Sequence, residues 1–274
     1  MINDILVHLS AGSPNDVARD YAISIAKSFD AHLSGVVLTP EFPTWAATEG
    51  ADTKTIEQWR AEQRDEADKA IRTFDEMARL RDTHSDSRII SSRHGDSARI
   101  FGEIARNYDL SVVAQTQDEI DLYNDLVIEA ALFNSGRPVL VVPFIQTADM
   151  KLDRVMACWD GSQHAARAIG TAMPFLERAR KVEVVTIQDA DRPKELCGIK
   201  MAEHLSRHHI NVELKPIVTP NSEVADVILN EVADAGIDLV VMGAYGHSRF
   251  REFVLGGVTR SMLKAMTAPA LMAH

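Results

Sequence analysis

The residues with the clearest chemical potential lie near the end of the chain. Met242-Gly243-Ala244-Tyr245-Gly246-His247-Ser248-Arg249 is followed, after nine residues beyond Gly246, by Gly256-Gly257-Val258-Thr259. The spacing is G-x2-G-x9-G, set between an apolar run and a helical pattern. Glycines let backbone N–H groups approach an anion with no Cβ in the way. A helix beginning near Thr259 turns unpaired N–H groups and the positive end of its dipole toward the same place. Thr259 offers a hydroxyl there, as a helix cap or as a phosphate donor. His247 and Arg249 add donors. A lone G-x2-G makes a tight turn and no more. The third glycine, the helix start and an earlier Asp160-Gly161-Ser162 at the end of an apolar run favour a nucleotide-type loop.

The elements that must position these residues come twice. Ile5-Leu6-Val7-His8-Leu9 runs into Gly12-Ser13, as Val155-Met156-Ala157-Cys158-Trp159 runs into Gly161-Ser162. Asp109-Leu110-Ser111-Val112-Val113 matches Asp238-Leu239-Val240-Val241-Met242, and each half closes on a proline and a short apolar run, Pro138–Val142 and Pro269–Met272. Such self-similarity indicates two copies of one domain. The boundary falls near 147, giving domains 1–146 and 151–274 joined by the polar stretch Phe144–Asp153. The offset between the copies shrinks from 149 at the Gly-Ser to 129 at the Asp-Leu, so the first half carries about 20 extra residues. The Pro-containing, polar segment Thr39–Lys54, with Trp45, is their expected place.

Each half alternates strand and helix. In the second half the expected strands are Val155–Trp159, Val182–Ile187, Val212–Val218, Leu239–Met242 and Ala270–Met272. The expected helices are Ser162–Arg180, Lys194–His208, Ser222–Ala235 and Thr259–Thr267. Ala165, Ile169, Ala172 and Leu176 recur at helical spacing. A long charged helix is expected near Thr55–Leu80, its alternating charges forming a solvated face with i,i+4 pairs. Short apolar strands, each followed by a helix, indicate an α/β fold whose parallel sheet is covered on both faces. Ligands of such sheets sit beyond the carboxyl ends of the strands, where the strand order switches.

The composition, 46% hydrophobic and 25% charged over 274 residues, excludes a disordered chain. No apolar stretch reaches the ~18 residues of a membrane span, and the N-terminus shows no signal-peptide pattern. Two cysteines, Cys158 and Cys197, make neither a disulfide framework nor a cysteine zinc site, so a reducing cytoplasm is the expected compartment. The net charge of −11 argues against nucleic acid. All of the excess is in the first half: residues 1–150 hold 14 Lys+Arg against 25 Asp+Glu, and residues 151–274 hold 15 against 15. A polyphosphate is therefore repelled less by the second half.

With its Asp160-Gly161-Ser162, Asp238–Gly243 run, G-x2-G-x9-G and closing Pro269 strand, the second half resembles a universal stress protein domain. The whole chain resembles the tandem members of that family, strongly in its second half and by pattern in its first. The resemblance implies two repeated doubly wound domains, each a five-stranded parallel sheet flanked by helices, of the adenine nucleotide alpha hydrolase type. It implies one ATP, with Mg²⁺ as an optional companion, per competent domain. On that pattern Asp160 sits against adenine or ribose and Ile187 lies near the base. Met242, Gly243, Gly246, His247, Gly256, Gly257, Val258 and Thr259 then surround ribose and phosphates. One departure is Gly257, where the family's ATP-binding motif carries Ser or Thr; a hydrogen bond to a charged group is worth roughly 1.5–3 kcal/mol. The first half departs further. Ala114 stands at Gly243, Gln117 at Gly246, Asp125 at Gly256 and Ala11 at Asp160, with Asp118, Glu119 and Asp121 nearby. A carboxylate in place of phosphate repels ATP, so this half is read as having lost the site.

No G-x-S-x-G, H-E-x-x-H or G-x4-G-K-[ST] occurs, so no catalytic residue is assigned, and any enzymatic activity is at most slow ATP hydrolysis. The reading is an ATP-binding stress-response regulator that reports through an unidentified protein partner. Its alternatives are a nucleotide-free interaction protein, or a small-molecule or metal sensor using the remodelled first-half cleft. His204, His208 and His209 fit a solvated helix C-terminus better than a metal site, which wants further ligands. Cys158 reads as an inert thiol, and Trp159 as either core or the edge of a base pocket. The closing strands Val139–Val142 and Ala270–Met272 are apolar edges that need covering. Their pairing within one chain makes a pseudo-dimer, with a homodimer as the alternative.

Overall fold

Apolar runs too short for a helix and buried on both faces can only be inner strands, and the computed structural model bears this out at β1 (Asp4–Leu9), where every residue after Asp4 is buried. The structure describes residues 1–13, 15–40, 52–92, 96–116, 123–189, 198–219, 223–244 and 257–274. The chain divides into two compact units, one of Ile2–Ala114 and Asp118–Arg137, the other of Gln115–Gln117 and Pro138–His274 together with Met1.

In the first unit β1 is followed by α1 (Val17–Phe29), β2 (His32–Pro40), α2 (Thr53–Leu80), β3 (Ser85–Ser92), α3 (Ser97–Ala105), β4 (Leu110–Ala114) and α4 (Tyr123–Ser135). Its strands are parallel in the order β3-β2-β1-β4, with Leu6 opposite Ser34 on one side and Ser111 on the other. α2 packs on β2 by Phe74, whose ring leaves room only for a glycine beneath it: a Cβ on Gly35 would stand 2.9 Å from the ring. α3 and α4 meet as closely, since a Cβ on Gly102 would lie 2.5 Å from the Ala130 carbonyl oxygen.

The second unit takes in β5 (Val139–Val142), then β6 (Arg154–Cys158), α5 (Gln163–Leu176), β7 (Lys181–Asp189), α6 (Ile199–Arg207), β8 (Val212–Thr219), α7 (Val224–Ala235), β9 (Leu239–Gly243), α8 (Gly257–Ala265) and β10 (Ala270–Ala273). The strand order is β8-β7-β6-β9-β10-β5. All pairs are parallel except β10 with β5, where Leu271 faces Leu140. The two closing strands therefore pair, as their apolar edges require. The order 3-2-1-4 of the first unit recurs in the second, and the switch in direction falls between β6 and β9.

The repeated aspartate of the two Asp-Leu runs has a structural use. Asp109 accepts from the Asn3 and Asp4 amides at 2.9 and 3.2 Å, and Asp238 accepts from the Arg154 amide at 2.9 Å. Each carboxylate satisfies backbone donors where a strand starts, at β1 and at β6 respectively. The residue after each fourth strand is equivalent too: Gln115 N–H donates to Val142 O at 2.8 Å, and Ala244 N–H to Ala273 O at 2.9 Å. Gln115 adds side-chain bonds, donating to Leu263 O at 2.7 Å and accepting from the Phe144 amide at 3.2 Å.

The extra length of the first half is not where the sequence placed it. The segment between β2 and α2 is close in length to that between β7 and α6. The helices differ instead: α2 has 28 residues and α6 has 9. The insertion lengthens a helix, and Asp52 caps it by accepting from the Thr55 amide at 2.7 Å. Trp45 and the rest of residues 41–51 lie outside the described residues. Among the described residues no helix is long and apolar enough to cross a membrane.

Candidate functional site

The second unit builds its candidate site from the ends of three strands. β6 stops at Cys158 because the next residues turn away: Gly161 takes a left-handed φ of +82°, and Asp160 Oδ1 accepts from the Ser162 amide at 2.8 Å. Ser162 then caps α5, its Oγ accepting from the Ala165 amide at 3.1 Å. Asp160 is exposed, and its other carboxylate oxygen has no partner among the described residues. That oxygen can accept from a hydroxyl or an amine.

Register brings the neighbours level. Cys158 pairs with Val185, so half-buried Ile187 stands two residues further along β7, as Asp160 does beyond β6. Ala157 pairs with Val241, which puts Met242 and Gly243 at the same edge. The Met242 side chain is buried opposite Met272, so only its backbone faces outward chemistry. Gly243 is needed for packing. A Cβ there would lie 2.7 Å from the Ala165 nitrogen and from the His164 carbonyl carbon.

Gly257, Val258 and Thr259 are helical in α8, so Thr259, 3% exposed, is not the cap. Gly257 is exposed, and a Cβ on it would meet none of the described residues within 4 Å. Val258 is half-buried. Gly246, His247 and Gly256, with Tyr245, Ser248 and Arg249, lie outside the described residues. The described residues offer a carboxylate oxygen at Asp160, an apolar side chain at Ile187 and a helical glycine at Gly257.

The sequence reading missed a cluster beside Gly243. His164 stacks on His274 with ring centroids 4.6 Å apart and planes at 24°. Arg167 donates to the His274 carbonyl oxygen, and His274 Nδ1 lies 3.3 Å from the Ala244 oxygen. His164 Nδ1 is buried without a hydrogen-bond partner among the described residues. Burial, and then His274 and Arg167, hold the His164 imidazole below its usual pKa, against the opposing pull of Asp160. No local pattern announces this group, because Arg167 and His274 are 107 positions apart. Cys158 is half-buried, and desolvation followed by the Asp160 charge pushes its thiol up to about 12, so it stays a thiol.

Among the described residues the first unit lacks these features. Ala11 is exposed and Ala114 buried, and α4 carries Asp125 in its first turn, where the negative charge already complements the helix dipole. Glu66 of α2 reaches over the loop after β1, 3.4 Å from where a Cβ on Gly12 would stand. Gln117, Asp118, Glu119 and Asp121 lie outside the described residues. Among the described residues no group of three or more His, Cys, Asp or Glu could hold a metal ion.

Residues 151–274 match the family model of the Universal stress protein family. A universal stress protein from Synechocystis sp. is 28% identical over 148 residues, 53% of this chain and 49% of that protein. The chain thus spans about half the length of the curated relative it matches. Among solved structures, a universal stress protein from Archaeoglobus fulgidus DSM 4304 aligns with a TM-score of 0.72 and 14% identity, over 99% of this chain and 98% of that one. A functionally unknown protein from Pseudomonas aeruginosa PAO1 aligns at 0.62 and 12%, over 99% and 92%. At these identities the structural likeness establishes the α/β fold.

Proposed function

We propose that the chain is a tandem universal stress protein whose second unit binds ATP and whose first unit has lost that capacity. The observation that carries this reading is the convergence of Asp160, Ile187 and Gly243 at the carboxyl edge of β6, β7 and β9, next to the switch in strand order. Ligands of open α/β sheets bind there. Asp160 takes ribose or adenine donors, Ile187 covers one face of the base, and backbone N–H groups of the glycine loop and of Gly257–Thr259 hold the phosphates. Gly246, His247 and Gly256 belong to this set on their spacing, and Mg²⁺ accompanies the phosphates as an optional partner. The bound nucleotide is read by a protein partner in the cytoplasm as part of a stress response, without a covalent step on the protein.

Calorimetric titration of ATP with Mg²⁺ tests the reading, with Gly246→Val as the companion. A side chain at 246 blocks the approach of phosphate and leaves the sheet intact. Binding by the parent, lost in a variant of unchanged circular dichroism, supports the assignment. Equal binding by both places the ligand elsewhere. No binding by the parent favours a nucleotide-free interaction protein, a reading that Gly257 and the packing role of Gly243 would then fit.

A further inference from the structure

At the end of α6, away from the residues assigned to nucleotide, two imidazoles stand close together. His204 and His208 are one helical turn apart, and their ring centroids are 4.8 Å apart with planes at 71°. Both residues are exposed, and neither ring has a hydrogen-bond or ion-pair partner among the described residues. We propose that this pair is a two-point binding site for a borderline transition-metal dication such as Cu²⁺, Ni²⁺ or Zn²⁺.

The i,i+4 spacing is the one by which a helix presents two histidines to a single metal. Distance supports it. Two imidazoles bound to one ion through nitrogens at ~2.0–2.1 Å put their centroids on the order of 4.5–5 Å apart. The observed separation lies in that range, and rings set at a steep angle can turn their nitrogens toward one point without stacking. Imidazole suits Cu, Ni and Zn, with Cu²⁺ held tightest. Water completes the coordination, which the exposure of both rings permits.

The neighbouring charges are accounted for. Arg207, between the two histidines in sequence, is paired with Glu203 at 3.4 Å on the adjacent face. Lys200 lies one turn before His204, and its positive charge weakens the site without blocking it. His209 has a left-handed φ of +63°, which takes it off the helical stripe. It serves as the internal control.

The test is calorimetric titration of Cu²⁺ alone, in a non-coordinating buffer, into the full chain and into His204→Ala, His208→Ala and His209→Ala. All three positions are exposed, and circular dichroism checks the fold of each variant. The expected result is a site whose affinity falls tenfold or more in His204→Ala and in His208→Ala, and holds in His209→Ala. Affinity also falls on acidification, because protons compete with the metal for the same ring nitrogens. Unchanged binding in both His204→Ala and His208→Ala overturns the site, as does equal loss in all three variants.

Discussion

Gly243 and Ala165 stand so close that a Cβ on the glycine would lie 2.7 Å from the Ala165 amide nitrogen. The first glycine of G-x2-G-x9-G is thus fixed by the approach of β9 to the start of α5, whatever ligand the loop serves. Gly243→Ala is expected to lower stability by about 1–3 kcal/mol through overpacking against backbone that cannot swing aside. Thermal unfolding checks this, and an unchanged midpoint would show that the two elements part freely. Gly246→Val should behave oppositely, keeping the midpoint and losing nucleotide.

Gly257 carries no hydroxyl, and none of the described residues stands within 4 Å of a Cβ there. Its φ is outside the left-handed region, so a side chain costs no backbone strain. Gly257→Ser should tighten ATP by roughly 1.5–3 kcal/mol, tenfold or more, through one added bond to phosphate. Titration of both proteins under the same buffer decides it. Equal affinity would mean that phosphate lies out of reach of α8.

His164 makes stability depend on pH. Its folded pKa is depressed, so below about 6.5 the unfolded chain binds the proton more readily than the folded one. Stability is therefore full above the unfolded value and falls as the pH drops through it. Denaturant unfolding between pH 7.5 and 5.5 should show this loss, and His164→Gln should flatten it. An identical pH slope in the variant would remove His164 from the account.

Leu140 and Leu271 face each other across β5 and β10, and both are fully buried. Leu271→Asp buries an unpaired charge in that pairing and should cost about 4 kcal/mol or more. Leu271→Met, close in volume, should cost under about 1.5 kcal/mol. Limited proteolysis of both variants reads the difference, and equal resistance would mean that the pairing contributes little.

The parts legible in the sequence were those written locally. Strand β6 was placed to within one residue because Val155–Ala157 is an unbroken apolar run that ends at Asp160-Gly161. The Asp-Leu repeat announced equivalent places in the two units, although only the hydrogen bonds of Asp109 and Asp238 gave its reason. Asp160, Ile187 and Gly243 were assigned through the family resemblance, and the structure sets them at neighbouring strand ends because the ends of adjacent parallel strands lie level. Thr259 was read as a cap or a phosphate donor, and its place within α8 excludes the first. The insertion was placed in a polar loop because proline and tryptophan drew attention there. The added turns of α2 look, residue by residue, like any charged helix. The His164–Arg167–His274 cluster was illegible for a different reason: tertiary structure alone joins its members.

The central claim is that one unit of two holds nucleotide. Native mass spectrometry of the whole chain, titrated with ATP and Mg²⁺, measures it directly. The account predicts a single bound ATP per chain at saturation, and none in Gly246→Val. Two tightly bound nucleotides per chain would contradict it, because the first unit, with Ala11, Ala114 and Asp125 in place of the second unit's residues, would then be competent.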